Sequence, residues 1–204
     1  MKKLFRSFVL WMSLVVLGIF VSVSVNVPGA EARSSAAWKE RLDARTTTLW
    51  IKGQALGDSI VLNARGELEI TWVGRDLIRH LERDRDVEEW LTSALGYYFS
   101  SRKDRRTTIK GRDVFVLNYR AVKYWDFDPT RLVVGGYVLT SDDILMKKEY
   151  WQIGELSPGY VGTLAVVAPS LNSGKSALKP GQKIELRYED TQAVFEAPRE
   201  APRR

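Results

Sequence analysis

Cysteine is absent from all 204 residues of the chain. That absence removes thiolate nucleophiles, Cys-ligated zinc, iron–sulfur clusters, disulfide staples and lipid attachment through an N-terminal cysteine. Histidine is almost missing as well. His80 is the one copy, so a multi-histidine metal site is excluded and any Ser-His-Asp arrangement must be built around that residue. No motif beside His80 supplies a nucleophile and an orienting carboxylate, and it reads as a boundary histidine of an amphipathic stretch. The sequence calls for no cofactor and no metal ion.

Segregated charge is lacking too. The chain carries a net +6 with acids and bases mixed. Its densest basic segment, Arg102-Lys103-Asp104-Arg105-Arg106 with Lys110 and Arg112, reads as a solvated loop; the functional alternative is contact with an anionic surface such as phospholipid, lipopolysaccharide or wall polymer.

Only one stretch is long, uncharged and mostly apolar, Ser7 to Pro28, and it sits behind a basic head of Lys2, Lys3 and Arg6. Ala30-Glu31-Ala32 then places small residues where a signal peptidase reads. The expectation is a signal peptide over residues 1–32 cut after Ala32, leaving a mature chain from Arg33. The alternative is an anchor over residues 7–28, long enough to approach a bilayer span but diluted by Gly18 and serines and broken by Pro28-Gly29. The positive-inside rule exports the body either way, to the periplasm or the medium, and membrane contact arises only if processing fails. Export leaves nucleic acid no place as a partner.

Beyond the leader, residues 33–45 read as a linker or short helix, with Trp38 and Leu42 four apart. A single β-rich domain is expected over 46–197 and a disordered tail over 198–204. Thr46 to Lys52, Ser59 to Asn63 and Glu67 to Val73 have strand composition, and short turns between them suit a meander. Leu68, Ile70 and Trp72 share one face of the third. Within 75–101 the period switches to helical, with Leu77, Ile78 and Leu81, then Val87, Trp90, Leu91, Ala94 and Leu95. Asp86 and Glu89 form a capping-box pattern between the two stripes. Asp113 to Trp125, Leu132 to Leu139 (with Gly135-Gly136 as a bulge), Lys147 to Ile153, Val161 to Ala168, Lys183 to Tyr188 and Gln192 to Glu196 read as further strands. The fold expected is mainly β with an α+β admixture: an antiparallel β-sandwich of about nine strands with a two-helix insertion, a closed β-barrel being the alternative.

Chemistry is harder to find. Asn172-Ser173-Gly174-Lys175-Ser176 resembles the end of a phosphate-binding loop, but Pro169 occupies the place of its first small residue and Pro180-Gly181 follows in place of a helix. Asp126 with Asp128, and Asp142 with Asp143, offer carboxylate pairs for hydrolysis or oxygens for calcium. Their neighbours favour turns and caps.

Aromatic residues stand out most. Six of the seven tryptophans and all eight tyrosines lie beyond the leader, several in adjacent pairs. Neighbours in a strand face opposite sides, so Tyr124-Trp125 and Tyr150-Trp151 each aim one ring away from a buried face. With Lys123, Lys147 and Lys148 nearby, these four rings are the candidate binding surface. The function expected is an exported cell-envelope binding or assembly module without catalytic activity, engaging an envelope protein or an anionic glycan. The competing classes are an envelope hydrolase using Asp126, Asp128 or Asp143, and a structural adhesin or surface component.

Overall fold

A computed structural model describes residues 39–56, 60–74, 77, 94–95, 111–145, 152–170 and 178–199. All belong to one unit, Trp38–Arg204, and Met1–Ala37 lies outside the described residues. The expected leader over 1–32, the segment from 172 to 176, His80, and the basic cluster up to Lys110 also fall outside them.

The protein is mainly β, with antiparallel sheets. The first sheet has the order β1-β4-β5-β10, from β1 (Thr46–Ile51), β4 (Gly66–Val73), β5 (Arg112–Ala121) and β10 (Val161–Pro169). The second runs β12-β11-β7-β8, from β7 (Leu132–Val134), β8 (Tyr137–Val138), β11 (Lys183–Tyr188) and β12 (Thr191–Glu196). Two ribbons complete the described strands: β2 (Gln54–Leu56) with β3 (Ile60–Leu62), and β6 (Trp125–Phe127) with β9 (Gly154–Leu156). Each four-stranded sheet ends in strands with one ladder only, so the structure is not a closed barrel.

Both sheets feed one core. Leu68, Ile70 and Trp72 of β4 and Phe115, Leu117 and Tyr119 of β5 point inward, where Leu132, Val134, Ile184, Leu186, Tyr188 and Phe195 of the second sheet meet them. Alternation explains the choice, since β11 reads exposed-buried through all six residues. This arrangement is sandwich-like.

The first sheet is covered on its other face as well. Val73, Val114, Val116, Ala165 and Val167 pack there with Leu42, Leu77, Ala94, Leu95 and Leu145. Leu42 belongs to a short helix over 39–43. Leu77, Ala94 and Leu95 are helical residues of the segment between β4 and β5. Double coverage is why β5 is buried at five successive positions, Asp113 to Leu117. Leu81, Trp90 and Leu91 lie outside the described residues. Among the described residues, no helix is long and apolar enough to cross a membrane.

Several local expectations change. The first three strands are not a meander: β1 pairs directly with β4, while β2 and β3 pair with each other. Asp113 to Trp125 is not one strand, because Val122 N and Lys123 N both donate to Arg65 O and bend the chain between β5 and β6. Gly135-Gly136 is a tight hairpin turn between β7 and β8, not a bulge. Both glycines have positive φ, 57° and 87°, the conformation that a two-residue hairpin loop needs. Of the twelve described strands, six have three residues or fewer, too short to carry a periodic signal.

Candidate functional site

At the corner where β5 bends into β6, Ala121 N bonds Tyr160 O at 2.9 Å and Gly159 N bonds Ala121 O at 2.8 Å. With the two hydrogen bonds that Val122 N and Lys123 N donate to Arg65 O, these contacts hold the backbone of the bend from two neighbouring segments. The result is three successive exposed residues, Val122, Lys123 and Tyr124, before Trp125 turns inward. Tyr124 is 63% exposed. Lys123 Nζ reaches Asn63 Oδ1 at 3.4 Å, and exposed Arg65 stands at the same corner.

Trp125 does the opposite. At 2% exposure it is a core residue, edge-on to Phe127 at 4.9 Å and to Tyr188 at 5.8 Å. It therefore offers no surface to a ligand, and of the pair only Tyr124 does. Tyr150, Trp151, Lys147 and Lys148 lie outside the described residues.

The rings behind the corner form a buried block. Tyr119 stacks on Phe127 at 4.1 Å, and Phe127 lies parallel to Tyr188 at 6.1 Å. Burial, reinforced by the neighbouring Tyr160 hydroxyl, holds the Tyr119 phenol well above the ordinary tyrosine range. Burial does the same to Tyr188.

The candidate carboxylates have local work. Asp126 is exposed and accepts from Arg131 Nη2 at 2.6 Å, while Arg131 Nη1 bonds Glu189 at 2.8 Å. Those two bonds push the Arg131 guanidinium pKa further up. Asp128 caps the short 3-10 turn Pro129–Arg131, accepting from Thr130 N at 2.9 Å and Thr130 Oγ1 at 2.7 Å. Asp142 is exposed in the turn Ser141–Asp143. Asp143 is buried and accepts from Tyr137 Oη, Thr140 N and Thr140 Oγ1 at 2.8–2.9 Å, with Arg112 Nη1 at 3.4 Å. Among the described residues, no three histidine or acidic side chains gather to hold a metal ion.

A second feature escaped the sequence reading. On the outer face of the first sheet, Glu67, Glu69, Asn118, Arg120 and Val161 line an open groove of about 280 Å³. Register builds it. Trp50, Glu67, Arg120 and Val161 stand abreast on β1, β4, β5 and β10, and Thr48, Glu69, Asn118 and Thr163 form the next row. Glu67 is ion-paired with Arg120. Asn118 Nδ2 donates to Glu69 Oε2 at 3.0 Å, and Thr163 Oγ1 to Asn118 Oδ1 at 3.5 Å. One row further along, Thr71 and Val116 begin the part of the face that the apolar cover closes.

Comparison with known proteins adds nothing to this geometry: no family model matches the chain, and neither a curated protein nor a solved structure matches it.

Proposed function

We propose that this chain is an exported binding or assembly module of the cell envelope that works without catalysis and engages an envelope protein or an anionic glycan through the corner at Lys123 and Tyr124. The observation that carries the reading is the exposure of Tyr124, 63%, on a backbone pinned from both sides. A ring on a fixed backbone loses little freedom on binding, and tyrosine is a frequent interface anchor. Lys123 and Arg65 add attraction for negative charge that salt weakens.

Export belongs to the same reading, through the leader over 1–32 and its Ala30-Glu31-Ala32 site. So do the linker or helix over 33–45, the domain over 46–197 and the tail over 198–204. The finer fold reading, a sandwich of about nine strands with a two-helix insertion over 75–101, is supported by the single core that the two four-stranded sheets share.

The test is binding by the exported protein on a glycan array and in pull-downs from envelope extracts, each compared with Tyr124→Ala and Lys123→Ala. Tyr124→Ala is expected to cost about 2 kcal/mol of binding free energy, and Lys123→Ala to flatten the salt dependence. Parent-like binding by a folded Tyr124→Ala chain would overturn the proposal. Mass spectrometry of the exported chain is expected to find Arg33 at its N-terminus, and a protein retaining Met1 would refute the export route.

A further inference from the structure

The groove on the first sheet has a chemistry opposite to that of the corner. Its floor is β4 and β5, the two interior strands, each hydrogen-bonded on both sides. The floor itself offers no free strand edge, so a ligand lying on β4 and β5 is read by their side chains. Those side chains bring two carboxylates against one guanidinium. Within the lining the acids exceed the base by one, which disfavours phosphate, sulfate and uronate beside Glu69 and favours a cation there.

Size narrows the class further. A volume of about 280 Å³ sits just under the range of drug-sized pockets, so one small ring fits and a longer ligand extends into solvent. Four of the five lining side chains are polar, which suits a ring covered in hydroxyl groups. An ionised carboxylate has about four acceptor positions, and Glu67 and Glu69 each keep positions beyond the contacts with Arg120 and Asn118. Trp50, in the same row as Glu67, places an aromatic residue on the face that the ring approaches.

We infer that this groove binds a sugar ring bearing a protonated amine, that is, an amino sugar, with Glu67 and Glu69 receiving the ammonium and Asn118, Thr163 and Arg120 serving the hydroxyls. The groove adjoins the Lys123 and Tyr124 corner, one register step from Gly66 and Ala121, but its lining takes the opposite charge, so it does not rest on the function proposed above.

The experiment is calorimetric titration of the full chain with glucosamine, glucose and glucuronic acid at low salt. Glucosamine is expected to bind, glucose about tenfold more weakly, and glucuronic acid weaker still, because a hydrogen bond between charged partners is stronger than its neutral counterpart by roughly that factor. Glu69→Gln and Glu67→Gln should each weaken glucosamine about tenfold for the same reason. Both keep an acceptor oxygen, and unchanged thermal midpoints confirm that they fold. Val161→Trp, on an edge strand at an exposed position, should block the groove even if a glutamine variant proves unstable. Asp142→Ala, exposed in the turn Ser141–Asp143, should leave glucosamine affinity unchanged. The inference is overturned if glucosamine shows no heat at millimolar concentration, if glucuronic acid binds as well, or if the glutamine and Val161→Trp variants bind like the parent.

Discussion

Gly66 lies directly beneath the indole of Trp125: a Cβ placed on Gly66 would fall inside the six-membered ring edge formed by Cδ2, Cε3 and Cζ3. The first residue of β4 thus has no side chain because a core tryptophan occupies that space. Gly66→Ala must push either the ring or the strand, and overpacking of this kind costs about 1–3 kcal/mol. Urea unfolding of the two chains measures it. A midpoint equal to the parent's would show that the ring moves away freely.

The adjacent pair Tyr124 and Trp125 should separate sharply in stability. Trp125→Ala empties a site bounded by Phe127 and Tyr188, for which about 3–5 kcal/mol is expected. Tyr124→Ala removes an exposed ring and should stay within about 0.5 kcal/mol. Comparable losses from the two would mean that Tyr124 packs as the core does.

Asp143 organises the turn after β8 through Tyr137, Thr140 and Arg112. Asp143→Ala strands the Tyr137 and Thr140 donors, and about 2 kcal/mol or more is expected to be lost. Neighbouring Asp142, exposed, serves as the control at about 0.5 kcal/mol or less. Thermal melts of both variants decide the matter, and equal melts would remove Asp143 from its organising role.

Alkali should unfold this protein through its buried phenols. Tyr119 and Tyr188 have folded-state pKa values raised above those of unfolded tyrosine, chiefly by burial. The unfolded chain therefore gives up these protons first, so their contribution is whole below about pH 10 and is lost as pH climbs toward the folded values. Tyrosinate absorbance should rise in two stages, the later one coinciding with loss of structure. A single early rise with the fold intact would contradict the burial of these hydroxyls.

How far the sequence revealed this arrangement depends on strand length and on what lies on the second face. Glu67 to Val73 was readable because Leu68, Ile70 and Trp72 alternate with polar residues. The ribbons β2–β3 and β6–β9 were not, since three residues hold barely one period. Alternation required one ring of Tyr124-Trp125 to face outward, but which member did so depended on a bend made by Arg65 O, more than fifty residues away in the chain. The groove went unread although its signal was present. On the outward side of β4, Glu67 and Glu69 precede Val73, and on that of β5, Val114 and Val116 precede Asn118 and Arg120. Antiparallel pairing sets the two polar halves side by side, and only register, which is not written in either segment alone, brings them together.

The pleat that builds the groove also separates two inheritances. Glu67 and Glu69 alternate with Leu68 and Ile70 on one strand, and Asn118 and Arg120 alternate with Leu117 and Tyr119 on its neighbour. The outward set can be exchanged residue by residue while the inward set stays fixed, because the backbone lies between them. A lineage carrying this sheet is therefore free to drift in what it recognises without drifting in how it folds, and the outward positions are where divergence between descendants should concentrate.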